Sequence, residues 1–254
     1  MLIEFTFPCY NEEQLLQKNC LKFLQYLKDQ NYHFDWRIIL IINGSSDSSE
    51  KIALDLEQKN PEIRAFIIKE KGRGNAIKTY FDQSQADFLI YMDIDMAVSI
   101  ENTNDLINPF LTENYDVVIG SRLLKISKTE RSFIRELSSR TYISLSKIII
   151  KHKFSDLQCG FKGIKKEDWT KISPHIEDRG WFFDTELLLW GQLLGLKIKE
   201  IPVNWSENRY EKRKSKVKLV RDSLVFIKKL IQLRKRIKHT DVNKDFSSSP
   251  PQKY

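Results

Sequence analysis

The sequence predicts an α/β fold in which a mostly parallel sheet is flanked by helices. Short apolar runs alternate with segments of helical periodicity along the first 120 residues, which indicates βαβ units. The run 36–42 is nearly all apolar, as expected of a strand that is covered on both faces. The length of 254 residues and the hydrophobic content of 41% are sufficient for one large domain with a real core.

The predicted elements follow one another in a regular order. Strands are predicted at 2–7, 36–42, 63–68, 88–92, 115–119 and 197–205, and Pro202 indicates that the last of these lies at an edge. Helices are predicted from about 9–13 to 29, at 48–59, after a basic loop 69–75 to about 84, and at 100–112, 131–151, 184–194 and 216–238. The stretch 156–162 is predicted to be a loop.

Charge and composition divide the chain. The formal net charge is +8, and 209–238 holds thirteen Lys and Arg residues against two acidic ones, so that one segment carries the whole excess. This pattern indicates an anionic surface as partner, and the absence of any known nucleic-acid-binding pattern argues against nucleic acid. We expect a globular domain at 1–215, a basic helix at 216–239 and a disordered tail at 240–254.

Three further features bear on location. The cysteines number three and have no paired spacing, which suits a reducing cytosol. The first residues lack the pattern of a signal peptide, and no apolar run approaches the roughly 18 residues of a membrane span. We therefore expect a cytoplasmic protein.

Two aspartates define the candidate site. Asp93 and Asp95 follow the predicted strand 88–92, and ligands of open α/β sheets bind outside the carboxyl ends of the strands. On an extended backbone two residues of this spacing point the same way. A divalent cation that also binds substrate phosphates relieves their repulsion, since Mg²⁺ typically uses one or two carboxylates. The alternative is a polar turn with two solvated acids.

Several motifs in order resemble glycosyltransferases of family 2, which are inverting enzymes of the GT-A fold. Within that family, 3–222 looks most like the polyprenyl-phosphate (dolichyl-phosphate) glucosyl- and mannosyltransferases. The motifs are Phe7-Pro8-Cys9-Tyr10-Asn11-Glu12-Glu13, Asn43-Gly44-Ser45-Ser46-Asp47, Lys71-Gly72-Arg73-Gly74-Asn75-Ala76, Asp93-Ile94-Asp95, Gly120-Ser121-Arg122, Asp156-Leu157-Gln158-Cys159-Gly160-Phe161-Lys162, Trp181-Phe182-Phe183-Asp184-Thr185-Glu186-Leu187-Leu188 and Ser215-Lys216-Val217.

The resemblance implies a UDP- or GDP-sugar as donor. The donor-binding residues it implies are Pro8, Tyr10, Glu12, Asn43, Lys71, Gly72, Arg73, Asp93, Gln158 and Lys216. Gly72 and Gly74 allow close backbone approach at a helix N-terminus, which fits a diphosphate. The family usually has an acid at or next to the position of Asn43. Because this sequence has none there, the identity of the nucleotide base is not specified. Ala97 cannot ligate a metal as the side chain of some relatives does, which leaves Mg²⁺ or Mn²⁺ open.

The implied acceptor is a polyprenyl (dolichyl) phosphate. Arg122, Arg135 and Ser139 are the residues that would hold its phosphate, although arginines on a helix are also typical of a solvated face. A phosphate oxygen is already anionic near neutral pH and would attack the anomeric carbon with inversion. Asp95 would hold the metal that takes up charge on the leaving diphosphate. Asp184 is expected to contact sugar or acceptor, with helix capping as the alternative.

The basic helix supports a membrane contact. Val217, Val220, Leu224, Ile227 and Ile231 share one side, an adjoining patch contains Leu219, Phe226, Leu230, Leu233 and Ile237, and Lys218, Arg221, Lys228, Lys229 and Arg236 fill much of the rest. Such a helix lies in a bilayer interface, which predicts a peripheral protein on the cytoplasmic face of a membrane. The alternative is a helix packed on the body with a solvated basic face.

Two other functions stay open. A family 2 glycosyltransferase that uses a hydroxyl acceptor on a glycan or glycolipid would need Asp184 or Glu186 as a general base. A sugar-nucleotide-binding protein without catalytic activity would agree with Asn43 and Ala97. The sugar, the base, the lipid length and the oligomeric state are not specified by the sequence.

Overall fold

The computed structural model describes residues 1–130, 133–206 and 219–239, with the backbone alone described at 133–135 and 219–224. The strands are β1 Leu2–Cys9, β2 Asp35–Asn43, β3 Ile63–Ile68, β4 Phe88–Met92, β5 Val117–Ser121, β6 Lys128–Glu130, β7 Phe161–Lys165, β8 Ile198–Pro202 and β9 Asn204–Ser206. The helices are α1 Leu16–Asp29, α2 Ser49–Lys59, α3 Arg73–Gln83, α4 Thr103–Thr112, α5 Phe133–Ile149, α6 Lys166–Ile172, α7 Phe183–Leu193 and α8 Leu219–His239, with 3-10 turns at Ile100–Asn102 and Ser173–His175.

Seven strands form one sheet in the order β3-β2-β1-β4-β7-β5-β8. All neighbouring pairs are parallel except those of β7, which runs antiparallel to both β4 and β5. Strands β6 and β9 form a separate parallel pair. The predicted fold class is therefore confirmed. Pro202 ends β8, the edge strand, as its missing backbone N–H requires.

The sheet is buried on both faces. Along β4, Ile90 and Met92 belong to the apolar cluster on the face of α1, whereas Leu89 and Tyr91 belong to the cluster on the opposite face. This alternation follows from the two-residue period of a strand and explains why the strand sequence is apolar throughout. The carboxyl ends of β1, β2 and β4 consequently reach the same edge of a rigid sheet.

Strand β7 is the main element that the sequence analysis missed. The loop predicted at 156–162 ends at Gly160, and Phe161–Lys165 is a strand between β4 and β5. Five residues with a central glycine and two lysines carry little strand signal of their own. Its conformation is therefore set by the hydrogen bonds of the two strands between which it lies. The three-residue strand β6 and the helix α6 were also missed, and the predicted strand 197–205 is divided into β8 and β9.

The starts of α1 and α3 also differ from the predicted positions. Helix α1 begins at Leu16, not within 9–13, because Asn11 has a left-handed backbone (φ 52°) that ends the extended chain in a turn. Helix α3 begins at Arg73, inside the predicted basic loop.

Helix α8 packs on the body through the residues that are described. Leu230 and Leu233 are buried with the apolar cluster of α7, and Phe226 packs against Tyr142 and Phe182 at ring-centroid distances of 5.5 and 5.6 Å. Among the described residues no helix combines the length and the apolar content that crossing a bilayer requires. The predicted tail 240–254 lies outside the described residues.

Candidate active site

Asp93 and Asp95 lie in a turn that follows β4. Strand β4 ends at Met92, and the N–H of Met96 donates to the carbonyl of Asp93 at 3.0 Å, with Met96 in the left-handed region (φ 50°). The expectation of an extended backbone through the two aspartates was therefore wrong, since the turn sets their directions. One oxygen of Asp95 accepts from the N–H of Ala97 at 3.1 Å. Both aspartates are partly exposed at the edge of the sheet.

Arg73, at the start of α3, bridges two carboxylates. Its Nε donates to Oδ1 of Asp93 at 3.0 Å and its Nη1 donates to Oδ2 of Asp184 at 2.6 Å. The third nitrogen, Nη2, is buried and has no hydrogen-bond partner among the described residues. A buried N–H without a partner is costly, so this atom marks a position where a ligand oxygen would be stabilised.

Asp184 is a buried anion with three donors. Besides Arg73, it accepts from Nζ of Lys162 at 2.6 Å and from the hydroxyl of Tyr91 at 2.5 Å, and it is 1% exposed. Burial alone would raise the pKa of Asp184, but the charges of Arg73 and Lys162 outweigh it, and the pKa lies below its usual value. The network therefore favours the ionised form of this carboxylate. These contacts are all within the protein and differ from helix capping, and the predicted contact of Asp184 with sugar or acceptor stays a prediction.

Both carboxylate oxygens of Glu186, two residues further along α7, also have hydrogen-bond donors. One of its oxygens accepts from the N–H groups of Glu177 and Asp178 at 2.9 and 2.7 Å. The other accepts from Nη1 of Arg236 on α8 at 2.5 Å. With 2% of its surface exposed, Glu186 orders the chain before α7 and contacts α8.

Gly160 allows Asp93 and Arg73 to approach each other. A Cβ placed on this glycine would lie 2.1 Å from Oδ2 of Asp93 and 2.8 Å from Nη2 of Arg73. The carbonyl of Gly160 also accepts from the N–H of Asp93 at 3.2 Å. The free oxygen of the aspartate and the unpartnered nitrogen of the arginine therefore lie beside the same point.

The end of β1 and the basic loop meet at Tyr10. Nζ of Lys71 donates to the Tyr10 hydroxyl at 3.0 Å and lies 5.1 Å from the centre of its ring. Asn43, at the end of β2, is buried. In the amide orientation that satisfies both of its polar atoms, it donates to the carbonyl of Cys9 at 2.6 Å and accepts from the N–H of Gly72 at 3.2 Å. Asn43 thus joins β1 to the basic loop.

The glycines of the basic loop pack closely against the backbone of residues 178–180. The N–H groups of Gly74 and Asn75 donate to the carbonyls of Gly180 and Arg179 at 3.1 and 2.9 Å. A Cβ on Gly72 would lie 2.4 Å from the Arg179 carbonyl oxygen. The amides of Gly74 and Asn75 are therefore already bound by backbone carbonyls, and the predicted contact of Gly72 with a donor diphosphate stays a prediction.

Two further donor-site predictions fall at the same edge. Pro8 is half-buried in β1, where it pairs with Ile41. Glu12 is 8% exposed, and its backbone N–H donates to the Ser49 hydroxyl at 2.8 Å. Asp47 accepts from the N–H of Ser49 at 3.0 Å at the start of α2.

Arg122 forms a two-pronged ion pair that the sequence analysis missed. Its Nε and Nη2 donate to the two oxygens of Asp156 at 2.7 and 2.9 Å. Burial would raise the pKa of Asp156, but Arg122 lowers it to about 2. Asp156 also accepts from the N–H of Gln158 at 2.9 Å. Asp156 lies in the same motif as Gln158, but nothing in the neighbouring sequence indicated that it pairs with Arg122.

Gln158 and α5 meet at Thr185. The amide nitrogen of Gln158 donates to the Thr185 hydroxyl at 2.6 Å, and the Tyr142 hydroxyl lies 2.9 Å from the same oxygen. Ser139 precedes Tyr142 by three residues on α5 and so shares its side of the helix. The side chain of Arg135 and all of Lys216 lie outside the described part of the chain.

The site therefore has three groups of side chains at one edge of the sheet. They are Tyr10 with Lys71, Asp93 with Arg73 and Asp184, and Arg122 with Asp156 and Gln158. Among the described residues no group of three His, Cys, Asp or Glu side chains could hold a metal ion. Asp93 and Asp95 are the two carboxylates here that could hold a cation, provided that a substrate supplies its remaining ligands.

Comparison with known proteins gives the family. Residues 6–172 match the model described as Glycosyl transferase family 2. The chain therefore belongs to glycosyl transferase family 2, as its motifs predicted. The M. tuberculosis glucosyl-3-phosphoglycerate synthase, solved with Mn²⁺, UDP-glucose and phosphoglyceric acid, superposes with a TM-score of 0.68 at 18% identity, over 92% of this chain and 80% of that one. This likeness agrees with the predicted GT-A fold.

Curated relatives are similar over most of this chain. Glycosyltransferase AglD of Haloferax volcanii is 29% identical over 223 residues, which cover 87% of this chain and 35% of that protein. Dolichyl-phosphate beta-glucosyltransferase ALG5A of Trichomonas vaginalis is 30% identical over 218 residues, covering 81% and 66%. The dolichyl-phosphate beta-glucosyltransferase of Saccharomyces cerevisiae is 28% identical over 253 residues, covering 92% and 74%. The chain thus spans about a third of the archaeal relative and just under two thirds of the Trichomonas one.

Proposed function

We propose that this protein is an inverting glycosyltransferase that moves a hexose from a UDP- or GDP-sugar to a polyprenyl (dolichyl) phosphate. The names of the Trichomonas and yeast relatives support glucose as the sugar and dolichyl phosphate as the acceptor. In the reaction, an acceptor phosphate oxygen forms a bond to the anomeric carbon. The bond from that carbon to the nucleoside diphosphate breaks, and the diphosphate leaves with the electron pair.

The state of the acidic residues on α7 carries this proposal. A hydroxyl acceptor needs a general base with a free oxygen and a pKa near the working pH. Asp184 accepts from three donors and has a lowered pKa, and Glu186 is bound by two backbone N–H groups and Arg236. A phosphate monoester needs no such base, because it is already ionised near neutral pH. The geometry thus favours an acceptor that brings its own negative charge.

The donor would lie along the ends of β1, β2 and β4. Tyr10 and Lys71 would contact the base and the diphosphate, and Nη2 of Arg73 would donate to a diphosphate oxygen. Asp95 and Asp93 would hold Mg²⁺ or Mn²⁺, and the partial exposure of both supports this assignment. When bound, the cation would neutralise charge on the leaving diphosphate. The complex of a fold relative with Mn²⁺ and UDP-glucose is consistent with such a site.

The acceptor phosphate would lie near Arg122 and Ser139, with Arg135 and Lys216 as further candidates. Asp156 fixes the guanidinium of Arg122 through two of its nitrogens, so the remaining nitrogen, Nη1, would bind the phosphate. A fixed arginine loses less freedom on binding an anion than a mobile one does.

A peripheral membrane contact on the cytoplasmic face would bring the lipid to this site. On α8, Val225 and Ile231 are exposed by 43% and 47%, and Lys228 is exposed between them. This outer face combines apolar and cationic side chains, as interfacial helices do. Lys229 and Arg236, predicted on the basic surface, instead pair with acids of the body, so the contact would rest on fewer cations than the sequence suggests.

Paired acceptors provide the test. The protein is incubated with Mg²⁺ or Mn²⁺, a panel of UDP- and GDP-sugars, and either a short polyprenyl phosphate or the corresponding polyprenol, and the lipid products are identified. We expect a polyprenyl-phosphate sugar and no product from the alcohol. Transfer to the alcohol would favour the hydroxyl-acceptor enzyme. Nucleotide binding without transfer to either lipid would favour the binding protein.

A further inference from the structure

Helix α8 is connected to the candidate donor site by one short segment. We call residues 176–182, between the 3-10 turn Ser173–His175 and α7, the bridging loop. The loop contacts α8 on one side and the first turn of α3 on the other. Because α3 begins with Arg73, the loop lies between the C-terminal helix and the arginine that pairs with Asp93 and Asp184.

Two cations of α8 bind the loop and its surroundings. Arg236 donates to Glu186, pairs with Glu177 at 3.1 Å and donates to the carbonyl of His175. Lys229 pairs with Asp178, which also accepts from the N–H of Gly180 at 2.7 Å. Both cations thus reach groups that determine the path of the loop.

Glu186 is the residue through which Arg236 reaches the backbone of the loop. One of its oxygens accepts from Arg236, and the other accepts from the N–H groups of Glu177 and Asp178. Because Glu186 is 2% exposed, loss of Arg236 would leave a buried carboxylate oxygen without its donor, and loss of the Glu186 carboxylate would leave the two loop amides without their acceptor. The loop should therefore shift when this contact is changed.

The other end of the loop holds α3. The carbonyls of Arg179 and Gly180 accept from Asn75 and Gly74, and the backbone of Asp178 to Gly180 packs against Gly72 and Gly74 too closely for a Cβ. A shift of the loop must therefore move the first turn of α3, and Arg73 with it.

We infer that Glu186 is a positioning residue and that docking of α8 through Arg236 and Lys229 holds Arg73 in place for the donor. This inference rests on the proposed function only for the identity of the donor. The mechanical connection from α8 to α3 depends on contacts within the chain.

Amide hydrogen exchange tests the connection without any ligand. In Arg236→Gln and in Glu186→Gln, we expect the amides of Gly74 and Asn75 to exchange about tenfold faster or more, since their acceptors are no longer fixed. The amides of β1 should keep their rates, which separates a local effect from general destabilisation. Lys238→Gln, which removes an exposed cation of the same helix, is the matched control. Unchanged exchange at Gly74 and Asn75 in both variants would overturn the inference.

Donor kinetics provide the functional readout. We expect the KM for the sugar nucleotide to rise about tenfold in Arg236→Gln, with the KM for the lipid phosphate unchanged and partial rescue in Arg236→Lys. An equal rise in the KM values for the two substrates, or no rescue in Arg236→Lys, would contradict positioning through this contact. If Glu186→Gln fails to fold, Lys229→Gln, at a side chain that is 36% exposed, makes the same test. Absence of nucleotide binding by the unaltered protein would instead refute the proposed function and leave the exchange result to stand alone.

Discussion

The aspartates of α7 and of the turn after β4 lie in the same site but in opposite environments. The side chain of Asp184 is 2% exposed and accepts from Arg73, Lys162 and Tyr91. The side chain of Asp93 is 35% exposed and accepts from one nitrogen of Arg73, and Asp95 is half-buried. A carboxylate whose oxygens are all bound stabilises the protein, whereas one with an accessible oxygen can bind a ligand. The comparison supports the proposals that Asp184 belongs to the framework of the protein and that Asp93 and Asp95 face the substrate.

Replacement of Asp184 should have the largest effect on stability. In Asp184→Asn, Arg73 and Lys162 stay buried without their counter-charge, and breaking such a pair costs about 3–5 kcal/mol. The free energy of unfolding, measured by chemical denaturation, should fall by about this amount. A variant with unchanged stability would show that Asp184 is not part of the framework.

Replacement of Asp95 should have the opposite profile. In Asp95→Asn, we expect glycosyl transfer to fall by about 100-fold or more, because a metal ligand that stabilises the leaving diphosphate is lost. The free energy of unfolding should change by less than about 0.5 kcal/mol, as for substitutions away from the core. Retained metal-dependent transfer would contradict the assignment of the metal site.

Acid should weaken another buried ion pair of the site, the one between Arg122 and Asp156. The pKa of Asp156 is about 2 in the folded protein, below the value of about 3.9 for an unfolded chain. Because the pKa of Asp156 is lower in the folded protein, its ionisation stabilises the fold by about 2–3 kcal/mol at pH values above the unfolded pKa. This stabilisation is lost as the pH falls through the folded pKa. The stability difference between the wild type and Asp156→Asn should therefore shrink from pH 5 to pH 2. A difference that does not depend on pH would mean that the pair is not ionic.

Gly160→Ala should have a moderate effect on stability. The new methyl group would lie within 3 Å of both Asp93 and Arg73, and we expect a loss of about 1–3 kcal/mol, typical of overpacking. Donor affinity should fall as well, because the free oxygen of Asp93 and Nη2 of Arg73 must move. Gly195→Ala, where a Cβ would meet nothing within 4 Å but the backbone is left-handed, separates steric crowding at the site from the general cost of replacing a glycine. Equal donor affinity in the two variants would argue against a donor at Gly160.

Local patterns in the sequence predicted most of the sheet and the position of the site. The strands 63–68 and 88–92 have the predicted bounds, because each is an apolar run, interrupted only by Arg64 in the first, that is bordered by charged residues. Strand β7 was missed since its conformation depends on two neighbours distant in sequence. The hydrogen-bond network around Asp184 was not predicted for a similar reason. Its three donors come from α3, β4 and β7, and no spacing within one motif shows that they converge on it.

The pH dependence of transfer tests most directly whether the acceptor, and not the protein, supplies the attacking charge. Initial rates are measured across pH with a short polyprenyl phosphate and with its phosphonate analogue, whose second ionisation occurs at higher pH. We predict that the rate rises near the second acceptor pKa of about 6 for the phosphate, and that this rise moves to higher pH with the phosphonate. A rise at the same pH for both acceptors would mean that a group on the protein acts as the base, and would contradict the account.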